Sequence, residues 1–221
     1  MASRSLLFVT GTRADFGKME PLGLAAVEAG FDVTFFVTGM HMLEKYGLTK
    51  IEVQRSGAIK VVEYINQRSG DPQDIILAKT VTGFSDVCQE LKPDMVVIHG
   101  DRVEALACSL VCAMNSIRCA QVEGGEVSGT IDEMFRHCNS KLASTHLVSS
   151  DDARARVMRL GEAGDAVHVI GSPELDIHGA NSGLTLRDVQ DRYDIASDDY
   201  GICVFHPVTV HHAQLQAFDA G

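Results

Sequence analysis

The sequence predicts a doubly wound α/β domain, in which helices cover both faces of a parallel β-sheet. Short apolar segments alternate with segments of helical periodicity, as in "SLLFVT" followed by residues 18–29 and "DMVVIH" followed by residues 101–115. The apolar segments are rich in Val, Ile and Phe and show no regular alternation of polar and apolar side chains. Strands that are buried on both faces have this composition.

The same pattern continues along the chain. The other predicted strands are "DVTFFVT", "RCAQV", "THLVS" and "AVHVIG", and the other predicted helices are residues 73–91, 132–143 and 150–160. Asp71 and Pro72 are expected to be the N-cap and the first residue of helix 73–91. The apolar stripe of this helix consists of Ile76, Thr80, Val81, Phe84, Val87, Cys88 and Leu91. Within residues 39–70 only "IKVVEYI" is a candidate strand.

The composition changes after "HVIGSPELDIH". A polar segment, residues 179–200, precedes one more predicted strand, "GICVF", and a final helix. These elements are too few for a second domain of sheet and helices of ordinary size. We therefore expect an N-terminal domain, residues 1–172, and the beginning of an incomplete C-terminal domain, residues 173–221.

Composition excludes several classes of protein. A net charge of −11 without a run of Lys and Arg argues against nucleic-acid binding, although a locally basic pocket for an anionic ligand is compatible with it. No apolar stretch reaches the ~20 residues that span a bilayer, and the apolar part of "MASRSLLFVT" is too short for a signal peptide. We expect a globular, cytoplasmic protein that does not bind membranes.

The sequence predicts neither a metal nor a nucleotide cofactor. Its six cysteines form no CxxC pair, and Cys108 and Cys112, one helical turn apart, lie in an apolar helix, which favours packing over metal binding. A GxGxxG loop is absent, and "GTRADFGK" follows the first strand instead, which argues against NAD and against a P-loop.

Polar side chains follow several of the predicted strands. They are Arg13, Asp15, Lys18, His99, Asp101, Arg102, Glu123 and His206. Because ligands of open parallel sheets bind beyond the carboxyl ends of the strands, we expect these side chains to collect at one edge. Two cations at a helix N-terminus suit a diphosphate, and carboxylates beside them suit proton transfer at an acidic carbon of a sugar.

Each candidate also has a structural explanation. Asp101 precedes a helix and Asp132 begins one, so helix capping is the structural alternative for each. Glu123 is a loop carboxylate beside glycines. Glu133 is spaced to pair with Arg136 and His137 on one helix, which favours a structural ion pair.

Six segments in order carry a family resemblance: "GTRADFGKMEPL", "VTGMHMLEKYGLT", "VIHGDRVEALA", "VEGGEVSGTIDEMFRHCNSKLA", "VIGSPELD" and "FHPVT". Together they resemble the hydrolysing UDP-N-acetylglucosamine 2-epimerases of sialic-acid biosynthesis, within the UDP-sugar 2-epimerase superfamily. The sequence "IDE" at 131–133, where the non-hydrolysing branch usually has "PEE", indicates the hydrolysing branch.

The resemblance implies a two-domain fold of glycosyltransferase-B type, with UDP-GlcNAc in the interdomain cleft and N-acetylmannosamine and UDP as products. It implies no metal or redox cofactor, and a homo-oligomer. Asp101, Glu123 and Asp132 match the family's acid/base carboxylates, and His206 matches its second-domain histidine. Arg13 and Lys18 fall near the diphosphate. Further substrate-binding candidates are Arg102, Arg136 and His137, with Glu126 as an additional site candidate.

Members of this family continue well beyond the "FHPVT" segment. We therefore expect the chain to be a fragment or a shortened relative that is inactive by itself. The alternatives are a hydrolase of UDP-2,4-diacetamido sugars, a non-hydrolysing UDP-GlcNAc 2-epimerase, a UDP-sugar glycosyltransferase of the same architecture, and a non-catalytic sugar-nucleotide binding module.

Overall fold

A computed structural model describes residues 3–57, 59–179, 183–197 and 199–203. The seven strands are β1 (Ser5–Thr10), β2 (Asp32–Val37), β3 (Lys60–Glu63), β4 (Met95–His99), β5 (Arg118–Val122), β6 (Thr145–Val148) and β7 (Val167–Val169). The α-helices are α1 (Arg13–Glu28), α2 (Lys50–Arg55), α3 (Gln73–Leu91), α4 (Val103–Met114), α5 (Ile131–Leu142), α6 (Asp151–Arg159), α7 (Glu174–Gly179) and α8 (Leu186–Tyr193).

The strands form one parallel sheet in the order β3-β2-β1-β4-β5-β6-β7. The chain therefore proceeds from β1 outward to β3, returns through α3, and continues from β4 to β7. This confirms the predicted doubly wound α/β fold. The candidate strand "IKVVEYI" contains β3, and α3 has the predicted bounds.

Alternate residues of the strands face two separate hydrophobic cores. Leu7 and Val9 of β1 pack with α3 and α4 on one face of the sheet. Phe8 packs on the other face with Phe16 and Met19 of α1. Because both faces are covered, a central strand has no solvated side, which explains its continuous apolar sequence.

Helix α3 buries much of its predicted stripe. Ile76, Thr80, Phe84 and Cys88 are buried, whereas Leu91, at the end of the helix, is 39% exposed. Cys108 and Cys112 of α4 are also buried in this core, which confirms that they pack among apolar side chains.

The predicted cap at Asp71 is wrong, and neither Asp101 nor Asp132 is an N-cap. Arg102 occupies the N-cap position of α4, with no side-chain cap, because Asp101 binds Arg136 of α5 instead. The N-cap of α5 is Thr130, whose hydroxyl accepts the Asp132 N–H, so Asp132 lies in the first turn.

In α3 the N-cap position belongs to Pro72 rather than to Asp71. The Asp71 carboxylate accepts a hydrogen bond from the ammonium of Lys79 at 2.6 Å instead. Of these three helices, only α5 has a side-chain cap, which Thr130 provides.

The chain divides into two compact units, residues 1–180 and residues 181–221. The second unit contains α8, which starts with a capping box between Thr185 and Asp188. Of the predicted strand "GICVF", the described residues 201–203 form no strand, and the rest lies outside the described residues. The domain boundary after residue 172 remains a prediction. No helix within the described ranges is long and apolar enough to cross a membrane.

Candidate active site at the carboxyl edge of the sheet

The site is built where the winding of the sheet reverses. β1 and β4 are neighbours in the sheet, but the helices that follow them, α1 and α4, pack on opposite faces. The loops after these two strands therefore diverge and leave a crevice, which is where open α/β sheets bind ligands. As predicted, several of the polar side chains from the strand ends converge here.

His99, the last residue of β4, connects two carboxylates across this crevice. Its Nδ1 lies 3.1 Å from Asp15 Oδ1 in the first turn of α1, and its Nε2 lies 3.0 Å from Glu123 Oε2, directly after β5. The side chains of all three residues are only 11–12% exposed. Asp15 is fixed from a second side by the Gly11 N–H at 3.2 Å.

Glu123 has a donor on each carboxylate oxygen. The ammonium of Lys18 donates to Oε2 at 2.6 Å, and the Ser172 hydroxyl donates to Oε1 at 2.7 Å. The backbone of Glu123 has φ +57, in the left-handed region that non-glycine residues rarely occupy. This backbone conformation, together with the contacts of both oxygens, fixes the direction of the carboxylate.

Only glycine fits two residues after Glu123. Gly125 has φ +80, and a Cβ there would lie 2.3 Å from the Ala153 carbonyl oxygen. Gly125 therefore serves close packing against α6 as well as a turn.

The contacts shift the pKa values of the three residues in opposite directions. Burial by itself lowers the pKa of His99, but hydrogen bonds to Asp15 and Glu123 outweigh it and raise the pKa to about 9. Burial raises the pKa of Glu123, but hydrogen bonds from His99, Lys18 and Ser172 outweigh it and lower the pKa to about 2. For Asp15, His99 likewise outweighs burial and lowers the pKa. At neutral pH the cluster therefore consists of two carboxylates, one imidazolium and one ammonium.

A second cluster connects the β4 and β5 loops to α5. Arg136, which is 8% exposed, contacts the Asp101 carboxylate through Nη2. Its Nη1 donates to the Glu126 carbonyl oxygen at 3.0 Å, and the Asn139 amide donates to the Gly100 carbonyl oxygen at 3.2 Å. Asp101 is therefore held beside the crevice by a charge-assisted contact rather than by its own helix.

Arg102 faces both the crevice and a neighbouring cavity. Burial by itself lowers its pKa, but the charges of Glu104, Asp15 and Asp132 outweigh it and raise it. Asp132 is thus close enough for its charge to act on Arg102 at the same edge of the sheet. Arg102 also lines a cavity of ≈ 240 Å³ together with Arg68.

Two predicted site residues, Arg13 and His137, have their ionic partners outside the crevice, and a third lies outside the described residues. Arg13 is 77% exposed in its side chain and pairs with Glu52 at 3.2 Å. His137 is spaced one turn from Glu133, with its Nε2 3.7 Å from that carboxylate, and lines an apolar groove between α4 and α5. The expected pairing of Glu133 with His137 is present, whereas Arg136 turns to Asp101. His206 lies outside the described residues.

Sequence reasoning placed Asp15 and His99 at this edge without assigning them to the site, and it missed Glu104. The carboxylate of Glu104 is 1% exposed and accepts from Arg102 Nε at 3.2 Å and from Gln67 Nε2 at 3.4 Å. A charged residue in the otherwise apolar helix "VEALACSLVCAM" is the signal that could have identified it, because a buried charge needs partners.

Comparison with known proteins places the chain in a family. A family model described as UDP-N-acetylglucosamine 2-epimerase matches residues 25–220. The UDP-N-acetylglucosamine 2-epimerase of Neisseria meningitidis serogroup B is 43% identical over 208 residues, which are 93% of this chain and 55% of that protein. The chain belongs to the UDP-N-acetylglucosamine 2-epimerase family.

Other members of this family resemble the chain over the same extent. The UDP-N,N'-diacetylbacillosamine 2-epimerase (hydrolyzing) of Legionella pneumophila is 34% identical over 93% of the chain and 56% of its own length. A crystal structure of the Methanocaldococcus jannaschii UDP-GlcNAc 2-epimerase in complex with UDP-GlcNAc and UDP superimposes with a TM-score of 0.73 at 23% identity. It covers 89% of this chain and 55% of that one.

The fold is therefore the α/β fold of the N-terminal half of glycosyltransferase-B type epimerases. The chain spans about half the length of the curated relatives that it matches.

Proposed function

We propose that the crevice is one wall of the active site of a hydrolysing UDP-GlcNAc 2-epimerase, which converts UDP-GlcNAc and water to N-acetylmannosamine and UDP. One observation carries the proposal. Asp101 and Glu123 follow neighbouring strands, each in contact with a cation, Arg136 or Lys18, in a chain of this family. Carboxylates held beside cations suit proton transfer next to a phosphate leaving group.

The proposed reaction has two steps. A carboxylate takes the C2 proton while the bond from C1 to the UDP oxygen breaks, UDP keeps the bonding electrons, and a C1–C2 double bond forms. Water then adds its hydroxyl to C1, and a proton returns to C2 on the opposite face, which gives N-acetylmannosamine. Asp101, Glu123 and Asp132 share the acid and base roles, and Lys18 and Arg136 stabilise the diphosphate charge.

A second candidate differs only in the sugar. The 34% identical Legionella protein is named for hydrolysis of a UDP-diacetamido sugar, so a UDP-2,4-diacetamido sugar is the alternative substrate. The "IDE" segment, with Asp132 in the first turn of α5, supports hydrolysis for either sugar.

A homo-oligomer remains an expectation from the family resemblance.

We further propose that activity needs the second half that the relatives possess. Without an opposite wall the Asp101 side chain stays 27% exposed to water, and exposed contacts to a diphosphate contribute ~1 kcal/mol or less each. The 221-residue chain should therefore release no more UDP from UDP-GlcNAc than its Asp101→Asn variant does.

The test uses a chimera in D₂O. Residues 1–180, a compact unit, are joined to the C-terminal half of the Neisseria meningitidis relative. We expect free N-acetylmannosamine that carries deuterium at C2, together with UDP, and Asp101→Asn or Asp132→Asn should lower kcat ~100-fold or more.

Other products distinguish the alternatives. UDP-N-acetylmannosamine as the stable product would indicate a non-hydrolysing epimerase. Turnover of only the diacetamido sugar would select the second candidate, and protium retained at C2 would contradict elimination.

A further inference from the structure

We infer that His99 is a positioning residue for Glu123: it bridges Glu123 to Asp15 and carries the proton of this trio, so that Glu123 enters the reaction as an ionised carboxylate. The role in catalysis rests on the proposed function. The charge assignment rests on the geometry of the crevice alone.

The first argument is the number of donors on an imidazole ring. A neutral imidazole has one N–H, so one of its nitrogens can only accept a hydrogen bond. Both ring nitrogens of His99 face carboxylate oxygens, at 3.1 Å from Asp15 and 3.0 Å from Glu123. An ionised carboxylate cannot donate, so with both carboxylates ionised only the imidazolium satisfies both contacts. A proton on a carboxylate instead is opposed by the other donors to these groups, which are Lys18 and Ser172 on Glu123 and the Gly11 N–H on Asp15.

The second argument is charge balance in a site with little solvent. The charged groups that face His99 are Asp15 of α1 and Glu123 after β5, and Lys18 of α1 binds the same Glu123 oxygen as His99 does. With neutral His99, two carboxylates with 11–12% exposed side chains would share one ammonium. With the imidazolium, the charges of the four groups sum to zero, which avoids an unpaired buried charge.

The next charges outward are one cation and two carboxylates, so they supply no net positive charge in place of the imidazolium. Arg102, at the start of α4, pairs with the buried Glu104, and Glu174 of α7 lies 3.8 Å from Lys18 with a 45% exposed side chain. The directions of the pKa shifts agree with the charge balance, since the pKa of His99 is raised and the pKa values of both carboxylates are lowered.

This arrangement assigns different roles to the three predicted acid/base carboxylates. Glu123 has Lys18, His99 and Ser172 as donors to its two oxygens and is held without a proton, so it starts as the acceptor. The donor role is left to Asp101 or Asp132. Asp15 is the fixed counter-ion that keeps His99 charged.

The test is an NMR titration of the 221-residue chain, with ¹³C labels at the imidazole Cε1 and the glutamate Cδ. His99→Gln and Glu123→Gln identify the two signals. We expect His99 to titrate near pH 9. In Asp15→Asn its midpoint should fall by ~1 pH unit or more, and in His99→Gln the midpoint of Glu123 should rise by ~1 unit or more.

His146→Gln is the matched control, because His146 is a buried histidine of the same sheet, and it should leave the Glu123 midpoint unchanged within ~0.2 unit. A His99 midpoint at or below 6.5 in the unmodified chain, or an unchanged Glu123 midpoint in His99→Gln, would overturn the inference. Asp15→Asn gives a readout if His99→Gln does not fold. No substrate is used, so a failure of UDP-GlcNAc hydrolysis would remove the proposed function without affecting this result.

Discussion

Two buried histidines of the same sheet have opposite environments. His99, at the carboxyl end of β4, has a carboxylate at each ring nitrogen and a raised pKa. His146, in β6, is fully buried, and neither of its ring nitrogens has a hydrogen-bond partner. Burial lowers the pKa of His146. Position at the edge where loops converge, rather than burial, therefore decides which histidine is charged.

The neighbours of His146 explain its neutral state. Its Nε2 lies 3.5 Å from Glu162 Oε2, without the geometry of a hydrogen bond. Glu162 is already paired with Lys141 at 2.5 Å, so its charge is largely compensated. A single, already paired carboxylate does not offset the loss of hydration of an imidazolium, whereas two carboxylates do. His146 in β6 is therefore neutral, whereas His99 at the end of β4 is charged.

The largest expected difference between the two regions is in stability. His99→Leu leaves Asp15 and Glu123 facing each other without the cation between them, which should lower the free energy of unfolding by ~3 kcal/mol. His146→Leu replaces an unsatisfied polar ring by an apolar side chain and should change it by less than ~1 kcal/mol. Urea unfolding followed by circular dichroism measures both. Equal losses of unfolding free energy in the two variants would show that His99 has no special electrostatic role.

The next difference concerns activity in the chimera that carries residues 1–180. Glu123→Gln should lower kcat ~100-fold or more, because its carboxylate is the proposed proton acceptor. Glu162 also pairs with a lysine, but it lies beside His146 rather than at the crevice. The Glu162→Gln variant should therefore stay within ~2-fold of the unmodified rate. Initial rates of UDP release test the pair. A Glu123→Gln variant of near-normal rate would reduce Glu123 to a structural residue.

The last difference is in the pH dependence of stability. The pKa of His99 is raised from 6.5 to about 9, so its contribution is complete below pH 6.5 and is lost as the pH rises to 9. The pKa of His146 is lowered, so its contribution is present above pH 6.5 and is lost as the pH falls below that value. Each single-proton effect has a slope of at most ~1.4 kcal/mol per pH unit.

The free energy of unfolding of each variant is compared with that of the unmodified chain at each pH, so that the contributions of other titrating groups cancel. The stability difference between the unmodified chain and His99→Leu should shrink from pH 6.5 to pH 9. The corresponding difference for His146→Leu should change only on the acid side. A constant His99 difference across the alkaline range would contradict the charged state.

The sequence predicted the fold well because hydrophobic periodicity is a local property. A strand buried on both faces is continuously apolar, and the amphipathic pattern of α3 gave its bounds, Gln73–Leu91. Helix caps were harder to predict for the opposite reason. In its local sequence Asp101 is an acceptable cap for the N–H groups of α4. Arg136, 35 residues away, binds the same carboxylate instead, because a charged donor binds it more strongly than a backbone N–H does.

The sequence by itself determined the parallel sheet, the edge at which Lys18, His99, Asp101 and Glu123 gather, and the resemblance to a family. Only the tertiary structure decided which of these groups touch and which of them carry a proton. His99 is 84 residues from Asp15 and 24 residues from Glu123. Charge interactions depend on distances of a few ångströms and on the exclusion of water, and neither quantity exists until the chain has folded.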